Sequence, residues 1–247
     1  MNLLRRLFAG ATAGPQLPPD DADLRDVVVL GLRLPVRATV AIVATTALIV
    51  LDQTVPLLGG QGGALFPFDG PIPGDVEPLS AQRLVYFLVL PVGIVLLGFR
   101  DRPARYGLTF GDWRWGAGLL IVGLVVMLPI ILWLSSLEQF RTYYPTGSSP
   151  AALVLDHLVE LLPAEFLLRG FLMFALWRRI GPLALVVQLI PFVLTHIGKP
   201  EVELWSTFIG GSVFAWLDWR TGSILWSAIG HVYVLTLMEL AIRGAPA

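Results

Sequence analysis

The chain has 247 residues, of which 55% are apolar and only 14% charged, and its mean hydropathy is +0.74. Soluble domains carry roughly 25% charged residues, so this chain cannot cover itself with polar surface and its solvent is largely lipid. A net charge of −1, from 17 basic and 18 acidic residues, excludes a broad nucleic-acid-binding face, and the absence of cysteine excludes disulfides, thiolate metal sites and cysteine nucleophiles.

The first residues, Met1 to Gly14, include Arg5 and Arg6 but no apolar run long enough for a signal peptide, and a polar, acidic stretch from Pro15 to Asp26 follows. Residues 1–34 therefore read as a cytoplasmic N-terminal tail. A bilayer core of roughly 30 Å requires about 20 mostly apolar residues per helix. Seven segments approach that: 35–58, 80–99, 115–136, 151–177, 181–198, 202–219 and 222–242. They are continuously apolar, without the alternation of a barrel strand, so helices are expected. The predicted fold is all-α: a polytopic transmembrane bundle of about seven helices, two of them in 35–99, with the polar site among the last four.

Taken in order, the first span is interrupted by Asp52, and the Gly-, Pro- and Asp-rich loop 59–79 reads as external. Arg100 to Trp115, with Tyr106, Trp113 and Trp115 among arginines, reads as an interfacial element with its rings at headgroup depth. The fifth and sixth spans are short and separated by Gly198-Lys199-Pro200-Glu201, the pattern of a tight helical hairpin. Gly210, Gly211 and Ser212 give the sixth a small face for close packing. Pro91, Pro129, Pro163 and Pro191 each free a backbone carbonyl, and Pro163 would kink its helix just before Glu165. With an inside N-terminus, twelve arginines face the cytoplasm and only Arg83, Arg141, Lys199 and Arg243 face outward, the asymmetry expected of that orientation.

An ionisable side chain inside a span costs about 2.5–3.5 kcal/mol on insertion scales, so it needs a partner or a purpose. The fourth span holds Asp156, His157, Glu160, Glu165 and Arg169; the fifth holds His196; the seventh holds His231 and Glu239. At a rise of about 1.5 Å per residue, Glu165 lies about 18 Å, His196 about 22 Å and His231 about 14 Å from the cytoplasmic helix ends. One carboxylate and two imidazoles on three helices at mid-membrane depth point to a shared buried site. Glu165 and Arg169, four apart, share a helix face and would neutralise each other.

These residues carry a family resemblance. The run Ala164-Glu165-Phe166-Leu167-Leu168-Arg169-Gly170 resembles the Glu-Glu-x-x-x-Arg-Gly motif of the CPBP family, the CAAX-prenyl-protease and bacteriocin-processing intramembrane peptidases. Phe192-Val193-Leu194-Thr195-His196 is similar to its Phe-x-x-x-His motif, and His231 falls where its third motif, His-x-x-x-Asn or Asp, is expected. Gly198-Lys199-Pro200 resembles some bacterial members, and Tyr106-Gly107-Leu108 through Trp113 resembles the family's lead-in. The likeness spans residues 100–243 and makes 100–247 the peptidase-like core. Two positions depart from it: Ala164 stands where the family has its leading glutamate, and Leu235 where the third motif ends in Asn or Asp.

The resemblance implies an integral protein of a bacterial plasma membrane that hydrolyses a membrane-associated peptide or protein near the cytoplasmic side by a Glu/His-activated water. Glu165, His196, His231 and Arg169 carry over to the motifs. Glu160, one turn from Ala164, is a second source of the missing base. Two histidines and one carboxylate also suit Zn²⁺ with an open water position, which makes Glu165, His196 and His231 the ligands if a metal is used. Two other readings stay open: a non-catalytic relative that binds a peptide, lipid or membrane protein as a scaffold or immunity-type factor, favoured by Ala164 and Leu235, and a transporter, which no internal repeat supports.

Overall fold

The computed structural model describes residues 14–15, 17–58, 76–144 and 149–244. Most of the basic start and most of the expected external loop, residues 1–13 and 59–75, lie outside them. Among the described residues the regular elements are helices, apart from one small hairpin. Strands β1 (Asp26–Val29) and β2 (Leu32–Pro35) pair antiparallel, with Val27 opposite Leu34. Leu30 and Gly31 turn between them with φ of 49° and 79°, the double positive φ that a two-residue hairpin loop requires. This hairpin falls at the end of the stretch read as a simple tail.

Eight helices follow: α1 (Val36–Thr54), α2 (Pro78–Gly98), α3 (Trp113–Leu134), the short α4 (Glu138–Tyr143), α5, α6 (Leu183–Leu194), α7 (Glu201–Thr221) and α8 (Leu225–Gly244). Helix α5 starts regularly at Pro150–Glu165, passes through π-helical turns over Phe166–Met173 and ends in Phe174–Ile180. All seven predicted segments are thus helical, forming an all-α bundle. Four helices, α1, α2, α3 and α8, are long and apolar enough to cross a membrane. The other three differ for visible reasons. Helix α5 leaves regular geometry just after Pro163. Helix α6 has 12 residues, about 18 Å of rise. Helix α7 carries Glu201, Glu203, Asp218 and Arg220.

The core sits around the second half of α5, where every residue from Phe166 to Met173 is buried, against α1, α2 and α6. A methyl group on Gly170 would lie 2.6 Å from the Phe166 ring and 2.8 Å from the Tyr106 carbonyl, so only glycine allows this approach. Gly211 likewise lets α7 close on α6, where a methyl would meet Phe192 at 2.6 Å. Tyr106 is not an interfacial anchor. It is 0% exposed, packed against Phe99 and Phe171, with the Arg178 guanidinium 5.0 Å from its ring centroid. Apolar contact outweighs its polar tip here, whereas Trp113 stays exposed as expected.

The two ends of the bundle are knit separately. At one end Arg37 bonds Asp23 at 2.7 Å and pairs with Asp101 at 3.2 Å, Arg105 joins Asp20 and Asp23, and Arg179 meets Asp26 at 2.9 Å. Asp112 N–H donates to Thr221 O and Ile224 N–H to Gly107 O there. Burial raises the Asp20 carboxyl, but the hydrogen bond and charge of Arg105, with Arg37 nearby, hold it well below the usual carboxylate range. At the opposite end Asp52, which breaks the first span, accepts from Gln82 at 3.0 Å and pairs with Arg83 at 3.3 Å. Glu77 N–H donates to Asp156 there at 2.8 Å.

Candidate active site

From that second end a cavity of about 570 Å³ runs into the bundle. Its mouth includes Gln53, Glu77, Tyr143, Asp156 and Lys199; its floor is Glu165, Arg169 and Phe192. Exposure falls along the way: Gln53 and Glu77 are exposed, Asp156 is half-buried, and Glu165 and Arg169 are at 1% and 0%. All five residues singled out in the sequence, Glu160, Glu165, Arg169, His196 and His231, line this one cavity, and so do Ala164 and Leu235. The five lie in the last four predicted spans, and the cavity walls also include Asp52, Gln53 and Arg83 from α1 and α2.

Glu165 is the hub. Its position at the end of the regular part of α5 aims it inward, and Arg169, four residues on, donates through Nη1 to Oε2. The same oxygen accepts from Ser227 Oγ at 3.2 Å, and Oε1 lies 2.7 Å from His231 Nδ1. A carboxylate accepts only, so Nδ1 of His231 carries a proton, and in the neutral ring Nε2 presents its lone pair. Nε2 makes no hydrogen bond among the described residues, and the His231 side chain retains 17% exposure, against 1% for Glu165. The Arg169 guanidinium is capped by aromatic faces, 4.3 Å from the Phe192 centroid and 5.5 Å from that of Phe214. Those rings take the place of partners for Nε and Nη2, which are buried without hydrogen bonds.

His196 is 8% exposed and lies in the turn after α6 rather than inside a helix, because regular geometry ends at Leu194 ahead of Gly198 and Pro200. Its Nδ1 donates to the Phe192 carbonyl at 2.7 Å, and its ring packs 4.7 Å from that of Phe192. Phe192 thus touches Arg169, His196 and His231 together. Glu160 is on the cavity wall but ion-paired with Arg83, so it is held toward α2 rather than standing free above Glu165.

Two further residues belong to the hub and were not singled out in the sequence. Ser227 Oγ lies 2.9 Å from Asp218 Oδ2 as well as 3.2 Å from Glu165. A hydroxyl has one proton, so both bonds together require a proton on one carboxyl. Asp218, fully buried and without an ion pair among the described residues, is the one that would carry it. A second buried pair sits in the same cavity wall: His157 Nδ1 is 2.9 Å from Thr236 Oγ1 and Nε2 is 3.1 Å from Glu239 Oε1.

Glu165, His196 and His231, the ligands named in case a metal is used, do not fit a zinc ion as they stand. Among the described residues no group of three or more His, Asp or Glu side chains is arranged to hold a metal ion. Glu165, the one carboxylate of the proposed set, already faces a guanidinium, a hydroxyl and an imidazole N–H, which leaves it poorly placed as a ligand.

A family model described as type II CAAX prenyl endopeptidase Rce1-like matches residues 146–236. The matched segment contains Glu165, Arg169, Asp218, Ser227 and His231, and also His196. Over residues 146–236 the chain is similar to that family model, and four of the described helices are long and apolar enough to cross a membrane. No curated protein and no solved structure matches it.

Proposed function

We propose that this protein is an intramembrane endopeptidase in which His231, oriented by Glu165, is the general base. The observation that carries the reading is the 2.7 Å contact from His231 Nδ1 to Glu165 inside the cavity. Ala164 removes the family's leading carboxylate, and Glu165 is too heavily bonded to act alone. Fixed by Arg169 and Ser227, however, it holds the imidazole in the tautomer whose Nε2 can accept a proton. In the reaction Nε2 takes a proton from water as the water oxygen bonds to the scissile carbonyl carbon. The imidazolium so formed lies beside the developing oxyanion and is itself stabilised by Glu165. It then returns the proton to the amide nitrogen as the C–N bond breaks. His196, with Nδ1 committed to Phe192 O, offers Nε2 to an N–H of the bound peptide. No step passes through a metal. The arginine-rich end and the N-terminal segment face the cytoplasm.

The test is to express the chain and His231→Ala in the same host and to compare new peptide termini in membrane proteins by mass spectrometry. Termini present with the parent and absent with the variant support the reading. Identical sets from both, with both proteins folded in the membrane, would overturn it.

A further inference from the structure

The family resemblance implies cleavage near the cytoplasmic side, and the side on which the cavity opens follows from the placement of charge at the two ends of the bundle. Helices α1, α3, α6 and α8 start at the arginine-rich end and point away from it, while α2, α5 and α7 return to it. Arg25, Arg33, Arg37, Arg100, Arg102, Arg105, Arg114, Arg178, Arg179 and Arg220 cluster there; only Arg83, Arg141, Lys199 and Arg243 belong to the opposite end. Loops rich in arginine stay in the cytoplasm during insertion, and each loop here is short enough for the rule to apply. The mouth residues all come from the arginine-poor end: Gln53 from the end of α1, Glu77 just before α2, Tyr143 from the end of α4 and Lys199 from the α6–α7 turn. They are polar, as a water-filled entrance needs to be. The arginine-rich end is closed over the floor by the buried run Phe166–Met173 and by Tyr106.

We infer that the cavity opens to the exoplasmic face, so that the substrate is a peptide segment presented on the outer side of the membrane and not a chain terminus delivered from the cytoplasm. This deepens the peptidase reading and rests on it for the word substrate; the route of access stands on geometry and charge alone. A segment entering beside Gln53 and Glu77 would pass Glu160 and His157 before reaching His231. Water reaches the floor by the same route.

The chain has no cysteine, so single-cysteine variants report access without background. Gln53→Cys marks the mouth, Ala164→Cys the wall above Glu165, and Ala104→Cys the arginine-rich end, where Ala104 is exposed. Sealed spheroplasts are treated with a membrane-impermeant methanethiosulfonate, with and without permeabilisation. The expected result is labelling of Gln53→Cys and Ala164→Cys in sealed spheroplasts, and of Ala104→Cys only after permeabilisation. Labelling of Ala104→Cys from outside, or of Ala164→Cys only after permeabilisation, would overturn the inference. So would an Ala164→Cys that stays unlabelled from both sides while Gln53→Cys reacts. Cleavage enters none of these outcomes, so a protein that labels as expected but cleaves nothing would remove the peptidase reading and leave the access route standing.

Discussion

Two glutamate–histidine pairs line the same cavity, and they are built differently. In the pair formed by His157 and Glu239 both ring nitrogens are committed, Nδ1 to Thr236 and Nε2 to Glu239, and the histidine is 3% exposed. In the pair formed by His231 and Glu165 the carboxylate takes Nδ1 only, and Nε2 has no partner among the described residues. The first is a tie between α5 and α8. The second is a tie with one valence left over, on a side chain that lines the cavity. The composition of the two pairs is identical, so on the proposed reading what separates structure from chemistry is which nitrogen the carboxylate holds and whether the other is spoken for.

The largest expected effect falls on the pair with the free nitrogen. His231→Ala removes the proposed general base and should lower cleavage by about 100-fold to 10,000-fold, while circular dichroism in detergent stays that of the parent. Cleavage within threefold of the parent would collapse the distinction between the pairs. Next comes the anchor of that pair. Arg169→Met leaves Glu165 buried without its cation, a change that costs about 3–5 kcal/mol in comparable buried pairs; thermal melting in detergent should show a large drop, and cleavage should fall with it.

His157→Ala sharpens the contrast. It should leave the cleavage rate of the folded protein within threefold of the parent and lower stability by about 1–3 kcal/mol through the unsatisfied Glu239 and Thr236. A loss of rate equal to that of His231→Ala would mean that both pairs serve the chemistry.

Asp218→Asn should be nearly silent. An amide donates to Ser227 as a protonated carboxyl does, so rate and melting point should match the parent, whereas Asp218→Leu, which cannot donate, should loosen Ser227 and Glu165. If the asparagine variant is as damaged as the leucine one, Asp218 acts as a charge rather than as a neutral acid.

The smallest effect lies at the far end of the molecule and depends on pH. The folded Asp20 carboxyl is held below its ordinary value, so its ion pairs with Arg105 and Arg37 stabilise the folded state fully above the ordinary carboxylate range, about pH 4. That contribution is lost as pH falls below it through the depressed value. Hydrogen exchange should therefore show residues 17–37 loosening in acid before the helices do. Protection that is constant down to the point of global unfolding would contradict this.

Much of the bundle was legible because lipid imposes a strong rule: apolar runs near 20 residues become helices. The Glu165–Arg169 pair was legible from a spacing of four, and the gathering of Glu165, His196 and His231 from the cost of ionisable groups at membrane depth. What was not legible depends on contacts between distant residues. Ser227 and Asp218 are ordinary residues near a helix junction until α7 and α8 bring them to Glu165. Glu160 looked like a spare base because Arg83, 77 positions away, could not be seen beside it. Tyr106 looked interfacial because its neighbours in sequence are arginines, while its neighbours in space are Phe99 and Phe171. The β1–β2 hairpin follows the polar stretch and was missed because the whole start of the chain was read as a tail, although Leu30-Gly31 between short runs of valine and leucine is a turn signal.

Nitrogen-15 spectroscopy of histidine-labelled protein in lipid, at a pH where all three imidazoles are neutral, tests the central point most directly. The signals that vanish in His231→Ala should report a protonated Nδ1 and a bare Nε2 that moves when a peptide inhibitor enters the cavity. A protonated Nε2 at that residue would mean that Glu165 does not hold the ring as described, and the assignment of His231 as the base would fall with it.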